Sequence, residues 1–201
     1  MMEVRKTDIF AKWISSLKDR RARVRILVRI DRLITGHLGD VRSVGEGVSE
    51  LGIFYGPGYR IYFSKRNAEL IFLLCAGDKS TQRADIAKAI KIAKKLGDGV
   101  MGIKKSRWNS AENLQPEEDM QLYIEACIEE AGGDPAFIVH ALAVVARAKN
   151  MSQLARDTGL TREGLYKALS PEGNPTFATV VKIAKALGFQ LSIQNAYCNC
   201  G

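Results

Sequence analysis

Histidine is nearly absent: His37 and His140 are the only two in 201 residues. A zinc site is therefore not expected, and neither is acid–base catalysis by histidine. Cysteine is sparse and forms no spaced framework. Cys75 and Cys127 sit in apolar runs and read as buried thiols, while Cys198 and Cys200 make a C-x-C in the tail. No apolar run approaches the roughly 18 residues that a membrane span needs. The N-terminus opens with charge and a helical pattern, unlike a signal segment. Internal repeats and low-complexity tracts are missing as well. These absences lead us to expect a protein of the reducing cytoplasm with no membrane partner, cofactor or metal.

Positive charge is plentiful and unevenly placed. Residues 1–100 hold 20 Lys and Arg against 11 Asp and Glu, net +9, and residues 101–201 hold 10 against 11, net −1. An anion-binding half joined to a near-neutral half is the natural reading. Helical spacing runs from Thr7 to Asp19 and again from about Arg20 to Thr35, the second stretch crowded with arginine. The period then changes. Residues 48–55, 58–64 and 69–75 are short apolar or alternating runs, parted by Gly56-Pro57-Gly58 and Lys65-Arg66-Asn67. They predict an antiparallel meander. Helical spacing returns from Thr81 to Leu96. The first half is thus expected to be an α+β domain, with two N-terminal helices on an antiparallel sheet and a C-terminal helix. The second half reads as an all-α helix-turn-helix domain, with a terminal strand at Phe189–Ile193. The short polar stretch Gly97–Lys105 predicts domains at 1–100 and 101–201, the latter with a core at about 134–194.

Several blocks of the first half carry a specific resemblance: Gly36-His37-Leu38-Gly39-Asp40, Gly45 to Leu51, Tyr55 to Phe63, and Leu73 to Gln82. In this order they resemble the HigB-type addiction module killer proteins of the RelE/ParE toxin superfamily. That resemblance implies a ribosome-dependent mRNA endonuclease that works without metal, or, in a minority of the superfamily, a gyrase poison. The residue chemistry is compatible with RNA cleavage. Cations must hold the scissile phosphate and stabilise added charge, and a further group must move protons. Arg60, Lys79, Lys65 and Tyr62 are the catalytic candidates, and Tyr55, Arg66 and Arg42 the RNA-binding ones. Each has a plainer reading as a strand-packing or solvated residue. The family usually has Glu-Leu-Arg-Ile where this chain has Glu50-Leu51-Gly52-Ile53. Loss of that arginine implies an attenuated toxin.

In the second half, Ser152 to Thr158, Gly159 and the Thr161-capped run to Leu169 fit a helix-turn-helix. The continuation through Ser170-Pro171-Glu172-Gly173-Asn174-Pro175 resembles the HigA-type addiction module antidote proteins, with a Cro/C1-like core. Recognition helices place their first residues on base edges. Gln153, Arg156, Thr161, Arg162, Glu163, Tyr166, Lys167 and Asn174 are therefore the DNA-binding candidates, toward operator DNA and as a homodimer. The acidic segment Trp108–Glu130, with Trp108, Glu117, Glu118 and Tyr123, is expected to neutralise the basic half by covering the surface that displays Arg60 and Lys79. The whole then reads as a toxin–antitoxin pair fused in one chain, with contact between its halves, an mRNA target for one and DNA for the other. A repressor carrying an inactive toxin-like module remains the alternative.

Overall fold

The computed structural model describes residues 3–67, 70–97, 104–115 and 117–191. It divides into two compact units, residues 1–132 and 133–201. The spatial boundary thus lies some thirty residues beyond the compositional seam, because the segment after residue 103 packs with the first hundred residues.

The first unit opens with β1 (Glu3–Thr7), then α1 (Asp8–Ser16) and α2 (Arg20–Ile34). Thr7 caps α1 by accepting from the Phe10 amide, and Asp19 caps α2 by accepting from Ala22, each satisfying an orphan N–H of the first turn. Four strands follow: β2 (Val41–Gly45), β3 (Val48–Ile53), β4 (Tyr59–Arg66) and β5 (Leu70–Asp78). They pair antiparallel in sequence order. Helix α3 (Gln82–Gly97) closes the part expected from the meander pattern.

Three strands were not legible from periodicity: β2, which adds a strand to the front of the meander, β1, and a short strand at Lys105–Arg107. β1 lies parallel to β5, so the sheet is mixed where an antiparallel one was expected. A crossover through α1, α2 and the meander makes that parallel pairing possible. β6 (Lys105–Arg107) then adds antiparallel to β1, completing the order β2-β3-β4-β5-β1-β6. The register is extended by Asp8 donating to the Lys104 carbonyl at 3.0 Å and Trp108 donating to Val4 at 2.8 Å. The face carrying Val48, Tyr62, Phe72 and Leu74 packs on Ala89, Ile92 and Leu96 of α3. Alternation turns Leu51 and Ile61 to the opposite face, where both are fully buried. A 3-10 turn at Ser110–Asn113 leads to α4 (Glu117–Ala131), which packs along α2.

The second unit holds α5 (Pro135–Lys149), α6 (Met151–Thr158), α7 (Arg162–Ala168) and α8 (Phe177–Ala186). Its core gathers Phe137, Leu142, Val145, Leu154, Leu165 and Ile183. Residues 189–191 form no strand, and 192–193 lie outside the described residues, as do Cys198 and Cys200. Among the described residues no helix is long and apolar enough to cross a membrane, and no group of three or more His, Cys, Asp or Glu is placed to hold a metal.

Candidate functional site

Cross-strand pairing builds the first site. Arg42 on β2 faces Glu50 on β3, Glu50 faces Tyr62 on β4, and Gly52 faces Arg60. Opposite residues share a face and lie close enough for their side chains to meet. Glu50 is 2% exposed and is the hub. Its carboxylate accepts from Arg42 Nε at 2.9 Å and from Gln82 Nε2 at 2.9 and 3.1 Å, and pairs with Arg60 Nε at 3.3 Å. A buried carboxylate needs such partners, because an unmatched charge out of water is costly. Arg60 is further fixed by donating to the Tyr59 carbonyl at 2.9 Å. Gly58 at the turn, with φ of +76°, would place a Cβ 3.6 Å from Arg60 Nη1 and 3.8 Å from Lys79 Cβ. The turn, the guanidinium and Lys79 are thus neighbours at one end of the sheet. The Tyr62 hydroxyl is fully buried, and burial first and the Glu50 carboxylate second push its pKa far up.

A second set of contacts joins α4 to α2. Asp119, with no exposed surface, accepts from Arg20 Nε and Arg23 Nη2, both at 2.7 Å. Glu129 pairs with Arg25 at 3.0 Å and Glu130 with Arg29 at 3.4 Å. Arg20 and Arg23, three apart, share one side of α2, and Arg25 and Arg29, four apart, share another; α4 packs on α2 and reaches both pairs. Beneath the ion pairs lies a buried polar chain. Trp108 Nε1 donates to Ser110 Oγ at 2.9 Å, Ser110 donates to Asp31 Oδ1 at 2.7 Å, and Tyr123 donates to Asp31 Oδ2 at 2.5 Å. Asp31 is 2% exposed. The Trp108 ring stands edge-on to Phe10 at 5.7 Å, with the Lys6 ammonium 5.2 Å from its centre.

The third arrangement lies in the second unit. Asn150 caps α6, accepting from Ser152 and Gln153. Gly159 ends it at φ +68°, a left-handed cap that suits glycine. Thr161 then caps α7 by accepting from Gly164 at 3.0 Å. Leu165 is buried while Arg162, Glu163, Tyr166 and Lys167 are exposed. The Arg162 guanidinium sits 5.7 Å from the Tyr166 ring centre.

Residues 104–195 match the family described as "Probable addiction module antidote protein". Two proteins of Haemophilus influenzae, both described as uncharacterized, are similar to long stretches of the chain. One is 46% identical over 96 residues, 48% of this chain and 97% of its own length. The other is 54% identical over 86 residues, 43% of this chain and 87% of its own. Residues 104–195 thus carry an addiction module antidote domain. No solved structure matches it significantly. An antidote-family domain places the chain in a toxin–antitoxin module.

The antidote-family segment therefore begins inside the first compact unit: β6, the 3-10 turn and α4 all fall within 104–195. Of the candidates in the first half, Arg60 and Arg42 come together on Glu50, Lys79 lies beside the Gly58 turn next to Arg60, and Tyr55 lies in the loop after β3 beside Arg25. Lys65 and Arg66 do not join them. They lie at the far end of β4, where the Arg66 guanidinium rests 5.9 Å from the Phe72 ring centre; five residues of strand span about 16 Å. Tyr62 is interior and held protonated. The described ion pairs of α4 go to Arg20, Arg23, Arg25 and Arg29, so the antidote segment covers arginines of α2 and not Arg60 or Lys79. Trp108 and Tyr123 are buried in it, Glu118 reaches Arg20 at 3.4 Å, and Glu117 is exposed. All eight DNA-binding candidates are exposed, on α6, α7 and the loop after α7. The sequence reading missed Glu50, Gln82 and Asp31. A lone acid inside an apolar pattern was the available signal for Glu50 and Asp31; nothing marked Gln82.

Proposed function

We propose that the first hundred residues act as a ribosome-dependent mRNA endonuclease, that the antidote-family segment 104–131 neutralises it, and that α6 and α7 bind operator DNA to repress transcription. The observation that carries the reading is the Glu50 cluster. It fixes Arg60 and Arg42 on one carboxylate, with Lys79 near Arg60 across the Gly58 turn, a set of cations suited to a scissile phosphate and to the charge that grows on it in the transition state. Glu50 orients the two guanidiniums. With the Tyr62 hydroxyl buried, Tyr55 is the tyrosine of the original candidates that reaches the surface.

A full-chain Asp119→Arg variant tests the reading. It replaces the carboxylate between Arg20 and Arg23 with a third cation, which α4 can relieve only by leaving α2. Expressed under tight control, it should arrest growth and yield mRNA cut on translating ribosomes, and Arg60→Ala in the same chain should restore growth. Arrest with intact mRNA and induced DNA damage would support a gyrase poison instead. Normal growth with a folded chain would leave the repressor reading.

A further inference from the structure

We infer that the groove beside Gly52 is a binding subsite for single-stranded RNA, and that Glu129 and Glu130 of α4 stand where its phosphates would lie. The inference rests on the reading of the first hundred residues as an RNA-directed toxin. The groove has a volume of about 310 Å³ and is lined by Arg25, Arg29, Gly52, Phe54, Tyr55 and Glu130, among others. That is the size of a small ligand site. Its wall carries an aromatic ring left in water: Phe54 is 80% exposed. The Arg60 guanidinium lies 5.7 Å from that ring's centre, so the groove adjoins the Glu50 cluster. Tyr55 is half-buried, with the Arg25 guanidinium 5.2 Å from its ring centre. Gly52 contributes no side chain to the floor; a Cβ there would meet Asp40 Oδ2 at 2.3 Å.

These groups match a nucleotide in kind. An exposed aromatic ring offers a face for a base to stack on, whatever the base. Two guanidiniums hold phosphate oxygens as readily as carboxylates. A single strand fits and a duplex does not, because the base must be free of its own partner to stack on Phe54.

The carboxylates at the groove need an explanation other than adhesion. Exposed ion pairs add little to stability, and the Glu129 and Glu130 side chains are 60% and 35% exposed. Asp119, Trp108 and the Asp31 chain already hold the segment in place. What Glu129 and Glu130 add is occupancy: Glu130 lines the groove and satisfies Arg29, and Glu129, from the neighbouring cleft, satisfies Arg25, which lines both.

Binding of a fluorescent octa-uridylate to the full chain, read by anisotropy at low salt, tests this. Wild type should bind weakly. Glu129→Gln with Glu130→Gln should bind at least tenfold tighter, with each single change giving part of the gain. The log–log salt slope should steepen by about 1.4, at about 0.7 for each of two phosphates. Adding Phe54→Ala should take back most of the gain, while Glu118→Gln, which removes one carboxylate from Arg20 away from the groove, should give none. The inference is overturned by no gain, by an equal gain from Glu118→Gln, by indifference to Phe54→Ala, or by an equal gain for duplex DNA, which would mark unspecific charge or the helix-turn-helix. Cleavage is not read in this assay. RNA binding without ribosomal cleavage would leave the subsite standing and defeat the endonuclease reading; cleavage without a binding gain would do the reverse.

Discussion

Replacing Trp108 with alanine should be among the most damaging single changes in the first unit. The indole is 6% exposed, lies edge-on to Phe10 and donates to Ser110. Truncating a buried tryptophan costs about 3–5 kcal/mol in lost transfer energy and residual cavity. Trp108→Phe keeps a ring against Phe10 and loses one neutral hydrogen bond and part of the volume, about 1–2 kcal/mol. At roughly 2–4 °C per kcal/mol for a body of this size, the alanine variant should melt about 10 °C below wild type and the phenylalanine variant within about 5 °C. Calorimetry on the full chain reads both, provided the transition of the first unit is followed separately from that of the second. Hydrogen exchange should show β6 and α4 opening before β3 to β5, because Trp108 anchors the later segment and not the sheet centre. Equal melting of the two variants, or an alanine variant within 2 °C of wild type, would refute the idea that this indole anchors the segment.

Arg162→Ala should relax operator specificity at one base position by about 1–3 kcal/mol, while Lys167→Ala should weaken binding to all sequences and flatten the salt slope; a competition binding assay in which both variants behave alike would refute that division. Gly52→Arg, intended to return a cation to the toxin-like surface, places its Cβ against Asp40; it should raise toxicity in an Asp119→Arg chain only when Asp40 is also changed to alanine, as growth curves would show. Alkali should destabilise the first unit: burial pushes the Cys75 thiol from 9.0 up to about 12 and raises Cys127, Tyr62 and Tyr123 as well. A raised folded pKa means that the unfolded chain sheds its proton first, so stability present below pH 9 is lost as pH climbs toward 12. Denaturant titrations at pH 8 and 10.5 should show the fall, and Cys75→Ala should make it shallower.

Local signals were read with most success. The caps at Thr7, Thr161 and Thr176 sit where a hydroxyl precedes a periodic run, and each accepts from an amide of its own first turn. The meander was legible because turn residues separate alternating runs. Non-local pairing was not. β1 is five residues with three charges, and β6 is Lys105-Ser106-Arg107; neither has an apolar period, and both are strands only because β5 and β1 offer them edges. Glu50 draws its partners from 8, 10 and 32 positions away, and no spacing within β3 announces them. Lys65 was grouped with Arg60 because they share a strand; a strand's length separated them.

The Asp31 chain has a consequence for cells that hold several such modules. A carboxylate sealed under the docked segment accepts a partner only if that partner brings donors to the same two oxygens. A segment with phenylalanine at position 123, or alanine at 110, would fit in shape and bring one donor fewer to a buried carboxylate, a loss of about 1–3 kcal/mol. Because discrimination is a difference between affinities, that loss falls only on mismatched pairs. The arginines of α2 would attract any acidic helix; the buried carboxylate would favour those that bring it donors. Insulation between neighbouring modules would thus draw on two buried hydroxyl groups as well as on the charges that surround them.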